Sequence, residues 1–327
     1  MEPQGSRRWA LGAAVVIGLS LALAPAVFQM FSRAPLGGDM ITDFRPYMRP
    51  AVVAEYQGYI ADLRAADVEI DEQLTPMLED RLNLDQAQIR TQFAPFAAFT
   101  AQWATIDADM SDMLGKMERN IDNYEAVGAL PSFPLFPWFF VAPGLIIAGL
   151  AVWGLRTSSQ HGIHRPAVIA LAVMGLGVIA APAIFQMFSR APKGAEMIDD
   201  FRGFMNTPKL RTIQGYFVTI GGGEGSLRTS VLPALKAQGV SAATLESDLP
   251  DIKTLSEEWP TMFTRFASMI GTMQTNIDNY QAVDALPPFG LFPWFFVVPG
   301  LAVAGLAVAA SRSRRGAAPA PMSASCK

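Results

Sequence analysis

The sequence predicts an all-α integral membrane protein with four transmembrane helices in two parallel tandem repeats, each repeat enclosing a helical-bundle extracytoplasmic domain. Three observations predict it: four long segments without charge, an internal duplication, and helical spacing of apolar residues between the segments. Of the 327 residues, 51% are hydrophobic and 17% are charged. Soluble domains average about 25% charged residues, so charge is confined here to part of the chain.

Four segments contain no Asp, Glu, Lys or Arg, and each is at least 24 residues long. At about 1.5 Å per helical residue, such a segment crosses a hydrocarbon core of about 30 Å. We therefore predict transmembrane helices over 9–32, 132–155, 166–189 and 288–311.

The remaining segments differ in charge, which predicts their orientation. Residues 1–8, the linker 156–165 and the tail 312–327 are short and basic, so the positive-inside rule places them in the cytoplasm. The long loops 33–131 and 190–287 then form two extracytoplasmic domains. The alanine-rich composition and the lack of disulfides favour a bacterial plasma membrane.

The chain is an internal duplication. Residues 24–35 and 181–192 are identical at 11 of 12 positions, at an offset of 157. Residues 135–141 read LFPWFFV and recur unchanged at 291–297. Each copy holds an even number of predicted spans, so both copies insert in the same orientation. We expect a pseudo-two-fold axis along the membrane normal, as in a fused homodimer.

Both loops show helical periodicity. In the first loop, apolar residues follow three- and four-residue steps from Phe96 to Ile121, and the second loop repeats the pattern from Ile252 to Ile277. These series predict one long helix per loop. Their methionine and aromatic side chains are explained by core packing, and the alternative is a pocket for a hydrophobic ligand.

Two repeated motifs supply the candidate interaction residues. Asn-Ile-Asp-Asn-Tyr occurs at 120–124 and 276–280, shortly before spans, and LFPWFFV places a tryptophan at the start of each of these spans. Hydrogen bonds between helices and anchoring of aromatic rings at the membrane interface explain both motifs without catalysis. The candidate interaction residues are Asp122, Asn123, Tyr124, Trp138, Asp278, Asn279, Tyr280 and Trp294.

Other sequence features predict no chemistry. The chain has two histidines, His161 and His164, and one cysteine, Cys326, none of them in the long loops. We therefore expect no catalytic residue, no cofactor and no metal site. The formal net charge of −4 gives no reason to expect a nucleic-acid partner. The glycine-rich run 221–225 lacks the end of a P-loop motif and is interpreted as a flexible turn. Small residues four apart, at Ala14–Gly18, Gly144–Ala148 and Gly300–Ala304, are typical of closely packed transmembrane helices.

These features predict a non-enzymatic membrane scaffold or accessory subunit. Its loops would bind a partner in a larger membrane or envelope complex, and its other contacts would be membrane lipids. No charged residue lies within the predicted spans, which argues against ion-coupled transport. The alternatives are a protein that binds or transfers a lipid or another hydrophobic ligand, and a sensor that lacks its own output domain. A ligand binder needs an apolar cavity, whereas a scaffold needs an exposed apolar patch.

Overall fold

The computed structural model of the protein describes residues 4–157 and 165–312. These residues form helices joined by short turns and contain no β-strand, which confirms the all-α prediction. Their contacts divide them into two compact units. The span unit comprises the described residues up to Asp39, those from Ala126 to Glu196, and those from Gln281 onward. The loop unit comprises Met40–Glu125 and Met197–Tyr280.

The two halves of the chain contain the same order of elements. A π-helical segment of 5 residues lies at Ile70–Leu74 in the first half, and another lies at Leu227–Val231 in the second half. In chain order the α-helices of the described residues are α1 (Gln4–Val27), α2 (Met30–Phe44), α3 (Pro50–Glu69), α4 (Thr75–Leu82), α5 (Gln86–Gln92), α6 (Ala94–Arg119), α7 (Ile121–Gly128), α8 (Trp138–Thr157), α9 (Arg165–Ile184), α10 (Met187–Phe201), α11 (Thr207–Ser226), α12 (Leu232–Ala237), α13 (Ala242–Asp248), α14 (Pro250–Thr275), α15 (Ile277–Asp284) and α16 (Phe292–Arg312).

Four helical segments of the span unit are long and apolar enough to cross a membrane. They are Arg8–Val27, Phe133–Thr157, Arg165–Ile184 and Phe289–Ser311. This confirms that the chain has four candidate membrane spans.

The first and third spans end earlier than we predicted. The expected helices 9–32 and 166–189 break at Gln29 and Gln186, which both have a φ of 54°. A glutamine in this left-handed region cannot continue a right-handed helix. The carbonyl of Gln29 instead accepts hydrogen bonds from the Ser32 hydroxyl at 3.0 Å and from the Arg33 amide at 3.0 Å. A new helix therefore starts at each break, and the spans become shorter.

Glycines allow the span helices to pack in close pairs, α1 with α8 and α9 with α16. A Cβ atom added to Gly18 would lie 2.7 Å from the backbone nitrogen of Ala148 and 2.7 Å from the carbonyl oxygen of Gly144. A Cβ atom on Gly300 would lie 2.9 Å from the carbonyl oxygen of Gly175. The predicted small-residue faces are therefore helix contacts, at which the backbones approach too closely for any side chain.

We expect Gly144→Ala to destabilise the span unit. Its Cβ would lie 2.6 Å from the Ala22 nitrogen and 2.6 Å from the Gly18 oxygen, so α1 and α8 must separate. Overpacking of this kind costs about 1–3 kcal/mol of unfolding free energy. Thermal unfolding of the purified protein in detergent measures the loss. Gly149→Ala is the matched control, because a Cβ there meets nothing within 4 Å. Equal effects of both variants would contradict the close packing.

The two loops fold together into one unit, and this differs from the two separate domains that we expected. Helix α3 of the first half packs against α14 of the second, and α11 of the second half packs against α6 of the first. The pairs α3 with α6 and α11 with α14 complete the bundle. Each loop therefore buries part of its apolar surface against the other loop.

The long helices are α6 and α14, each of 26 residues. In α6, the apolar residues of the predicted series are buried from Phe96 to Met117. In α14, most of the matching residues are buried as well, but Phe263 is 45% exposed. The periodicity therefore predicted both helices and most of the core. The carboxylate of Glu69 lies at the start of α14 and accepts hydrogen bonds from the backbone N–H groups of Asp251 at 3.2 Å and Ile252 at 2.7 Å.

The glycine run 221–225 is helical, so our interpretation of a flexible turn was wrong. It lies within α11, where the missing side chains allow large neighbours to approach. A Cβ on Gly223 would lie 2.5 Å from the Cβ of Phe99, and one on Gly221 would lie 3.2 Å from the Trp259 ring. The packing of these aromatic residues offsets the low helix propensity of glycine.

Candidate binding cavity

The loop unit contains an apolar cavity of about 60 Å³ between the two halves of the chain. Helices α2, α6, α10 and α14 supply most of its wall. Eight of the chain's 16 methionines lie in this wall. We call it the methionine cavity; its lining residues are Met40, Ile41, Phe44, Met48, Met113, Met117, Tyr124, Met197, Ile198, Phe201, Met205, Met269, Met273 and Tyr280.

The cavity wall consists of seven pairs of residues at matching positions in the duplication, and each pair is identical. Other buried positions have diverged. Met110 matches Phe266, and Ile106 matches Met262, although these residues lie on the same two long helices. Exchange between apolar residues of similar volume usually costs less than about 1.5 kcal/mol, so packing alone tolerates such divergence. The cavity wall therefore shows a stricter requirement than the surrounding core.

Two buried amides join the halves beside this cavity. The Nδ2 of Asn120 donates to Asp200 Oδ2 at 2.7 Å, and the Nδ2 of Asn276 donates to Asp43 Oδ2 at 3.0 Å. Both asparagines are 0% exposed. A buried amide without a partner costs about 1–3 kcal/mol, so these bonds favour association of each half with the other. We call these two hydrogen-bonded pairs the amide clasp.

The rest of the Asn-Ile-Asp-Asn-Tyr motif supports the amide clasp. Asn123 donates to the Oδ1 of Asn120 at 3.0 Å, and Asn279 donates to the Oδ1 of Asn276 at 2.9 Å. The hydroxyls of Tyr124 and Tyr280 donate to the backbone carbonyls of Ile41 and Ile198. These four predicted residues thus have structural partners near the cavity.

The other predicted interaction residues lie elsewhere. Asp122 and Asp278 are exposed in the loop unit. Trp138 and Trp294 belong to the span unit and are 54% and 53% exposed. Each ring packs edge-on against a phenylalanine, Phe31 at 5.6 Å and Phe188 at 5.9 Å between ring centroids. Contact of these four residues with a partner or the membrane interface stays a prediction.

Our alternative to core packing was a pocket for a hydrophobic ligand beside the methionine and aromatic stripe, and this covers part of the wall. Met113, Met117, Met269 and Met273 belong to that stripe, and Met40 and Met48 were predicted only as part of a helical series. No role was predicted for Met197 and Met205, which lie on α10 and in the turn after it. Asn120 and Asn276 belong to the predicted motif but were not among the candidate interaction residues. The signal that could have found them is the pairwise identity of these positions in the duplication.

At one pair of matching positions, α6 carries an acidic residue and α14 carries a basic residue, and each of them contacts the other half of the chain. Asp109 of α6 accepts hydrogen bonds from Lys209 at 2.6 Å and from the Tyr216 hydroxyl at 2.5 Å. Burial alone would raise the pKa of Asp109, but these donors outweigh it and hold the pKa below its usual value. In α14 the matching residue is Arg265, and its partner across the halves is Glu55 at 3.2 Å.

Asp67 on α3 is an acidic residue of the loop unit whose carboxyl has a raised pKa. Burial, with a smaller contribution from the charges of Asp71 and Asp107, raises the pKa of its carboxyl to about 6 from an ordinary value of 3.8. Above pH 6 the folded state therefore holds a carboxylate that is less well solvated than in the unfolded chain.

We expect Asp67→Asn to raise the melting temperature at pH 7.5 and to leave it unchanged near pH 4. Because the folded pKa lies above the unfolded value, the destabilisation by Asp67 is complete above about pH 6 and disappears below about pH 4. Thermal unfolding across this pH range measures the difference. Asp80→Asn, at an exposed position of α4, is the control. A benefit of Asp67→Asn that is equal at both pH values would contradict the assigned pKa shift.

No group of three or more histidine, cysteine, aspartate or glutamate residues that could hold a metal ion occurs among the described residues. His161, His164 and Cys326 lie outside them. Comparisons with protein families, curated proteins and solved structures found no match for this chain.

Proposed function

We propose that the protein is a non-enzymatic membrane protein that acts by binding, with a small hydrophobic molecule as the guest of the methionine cavity. The observation that carries the proposal is the apolar cavity, whose seven pairs of lining residues are identical in the two halves of the chain. Hydrophobic lining and enclosure between helices are typical of sites for small molecules.

The cavity favours a ligand binder over the scaffold that we first expected. In the described part of the loop unit, the exposed large apolar side chains are Val68, Val218 and Phe263. Three side chains on different helices offer little apolar surface to a protein partner, since such surfaces usually bring many apolar atoms together. An accessory subunit and a sensor without an output domain stay predictions, and the proteins that co-purify with the chain test them.

The size and chemistry of the cavity suit a small apolar guest. Its volume of about 60 Å³ is several times the roughly 10–15 Å³ that one water molecule needs, but water finds few hydrogen-bond partners in an apolar wall. Methionine has three rotatable bonds and a polarizable sulfur, so eight of them can rearrange around guests of different shape.

The polar groups near the cavity support a role without catalysis. The hydroxyls of Tyr124 and Tyr280 are bonded to backbone carbonyls, and the carboxylates of Asp43 and Asp200 accept bonds from buried amides. Groups held in this way stabilise the wall. General acid–base catalysis needs a titratable group within reach of the substrate's proton.

We expect Met113→Trp and Met269→Trp to abolish guest binding. Both methionines are at most 1% exposed, so the larger indole ring occupies the cavity. The protein is purified in mild detergent from its native membrane, and bound molecules are extracted and quantified by mass spectrometry. The wild type should carry one enriched apolar molecule per chain, and the tryptophan variants at least tenfold less.

Val218→Trp is the matched control, because Val218 is 76% exposed on α11. It should retain the guest. Circular dichroism shows whether each variant is folded. If the wild type carries no enriched molecule, or if the tryptophan variants retain it, the proposal is wrong. A stoichiometric protein partner without a guest would support the accessory subunit instead.

We also propose the predicted topology, with both termini and the 156–165 linker in the cytoplasm of a bacterial cell and the two halves side by side in parallel. The basic residues beside the spans support this orientation. In the Cys326→Ser background, Val218→Cys should react with a membrane-impermeant thiol reagent in intact cells, whereas Ser159→Cys should react only after lysis. The opposite labelling pattern would overturn the orientation.

A further inference from the structure

The methionine cavity contains a donor set that a purely apolar site does not require. Four pairs of methionines line this one cavity, Met40 and Met197, Met48 and Met205, Met113 and Met269, and Met117 and Met273. Leucine has a similar volume and would keep the wall apolar. None of the four pairs has changed to another apolar residue, although neighbouring core positions have.

The spacing of the methionines suits shared coordination. Met113 and Met117 are four residues apart on α6, and Met269 and Met273 are four residues apart on α14. Residues at this spacing lie on one face of a helix, so each long helix can present two sulfur atoms to the same space. Helices α2 and α10 and the turns that follow them supply the other methionines, and three or four thioethers form a complete ligand set for a small ion.

Thioether sulfur is a soft, uncharged ligand. It binds soft cations such as Cu(I), whereas Mg²⁺, Ca²⁺ and Mn²⁺ favour oxygen ligands. Near the wall, the carboxylates of Asp43 and Asp200 accept hydrogen bonds from the buried amides, and the cationic groups of Arg45 and Arg49 interact with Tyr124. A monovalent soft ion therefore meets no large excess of positive charge. We infer that the methionine cavity binds one Cu(I) ion per chain through the sulfur atoms of its methionines.

This inference goes beyond the proposed function, because it does not depend on a hydrophobic guest. It also predicts a pH signature. Thioethers carry no titratable proton, so coordination releases none and the affinity is independent of pH from 5 to 8. Binding by histidine or cysteine would weaken as these residues become protonated.

The test uses the purified full-length protein in detergent. To remove the histidine and cysteine ligands of the chain, the background variant carries His161→Ala, His164→Ala and Cys326→Ser. Cu(I) is titrated anaerobically against a chromogenic chelator. We expect one equivalent to bind with the same affinity at pH 5 and pH 8, and X-ray absorption to show only sulfur ligands.

The critical variant replaces Met113, Met117, Met269 and Met273 by leucine, which removes four sulfur atoms and keeps the volume. It should bind Cu(I) at least tenfold more weakly. The matched control carries Met110→Leu and Met262→Leu, two buried positions outside the cavity wall, and should bind Cu(I) normally.

The inference is overturned if the background variant binds no Cu(I), if the leucine variant binds it unchanged, or if nitrogen or oxygen ligands dominate the absorption spectrum. Where the leucine variant does not fold, the single replacements Met113→Leu and Met269→Leu take its place, because each removes one sulfur atom from the wall. Loss of the guest with retention of Cu(I), or the reverse, separates this inference from the proposed function.

Discussion

The amide clasp is the interaction on which the arrangement of the loop unit depends. Asn120 and Asn276 are fully buried, and each satisfies its side-chain N–H group with a carboxylate from the other half of the chain. Separating the halves would break both of these hydrogen bonds at once, and would also release the pairings of α3 with α14 and of α6 with α11. The cavity exists because these contacts hold four helices together around a space that their side chains do not fill.

The charged contacts differ between the two halves, so Asp109 and Arg265 each have a partner of opposite charge in the other half. Asp109 has Lys209 as its partner, and the position that matches Lys209 in the first half is Val52. A first half paired with itself would therefore leave Asp109 without its ammonium group. Likewise Arg265 pairs with Glu55, and the position that matches Glu55 in the second half is Thr212. The chain retains the apolar centre of a symmetric pair, while its charged rim distinguishes the two halves.

The features that could be predicted from the sequence are those that depend on residues close together in the chain. Uncharged length predicted the spans, and three- and four-residue spacing predicted α6 and α14, because both signals depend only on neighbouring residues. The break at Gln29 was missed because glutamine has no marked preference for a positive φ. The helical glycines of α11 were missed because Phe99 and Trp259, which stabilise them by packing, come from distant segments. The shared loop unit and its cavity follow from contacts between the halves, on which periodicity carries no information.

The methionine cavity also lowers the free energy of unfolding of the loop unit. At about 24 cal/mol per Å³ of void, a space of about 60 Å³ destabilises the loop unit by about 1–2 kcal/mol. The duplication shows that larger side chains are accessible nearby, since Met110 in one half corresponds to Phe266 in the other. A similar exchange in the wall would fill the space and recover this stability. Neither half has made such an exchange at any of the seven paired positions, so both halves keep the volume and the sulfur atoms of the wall at a cost in stability.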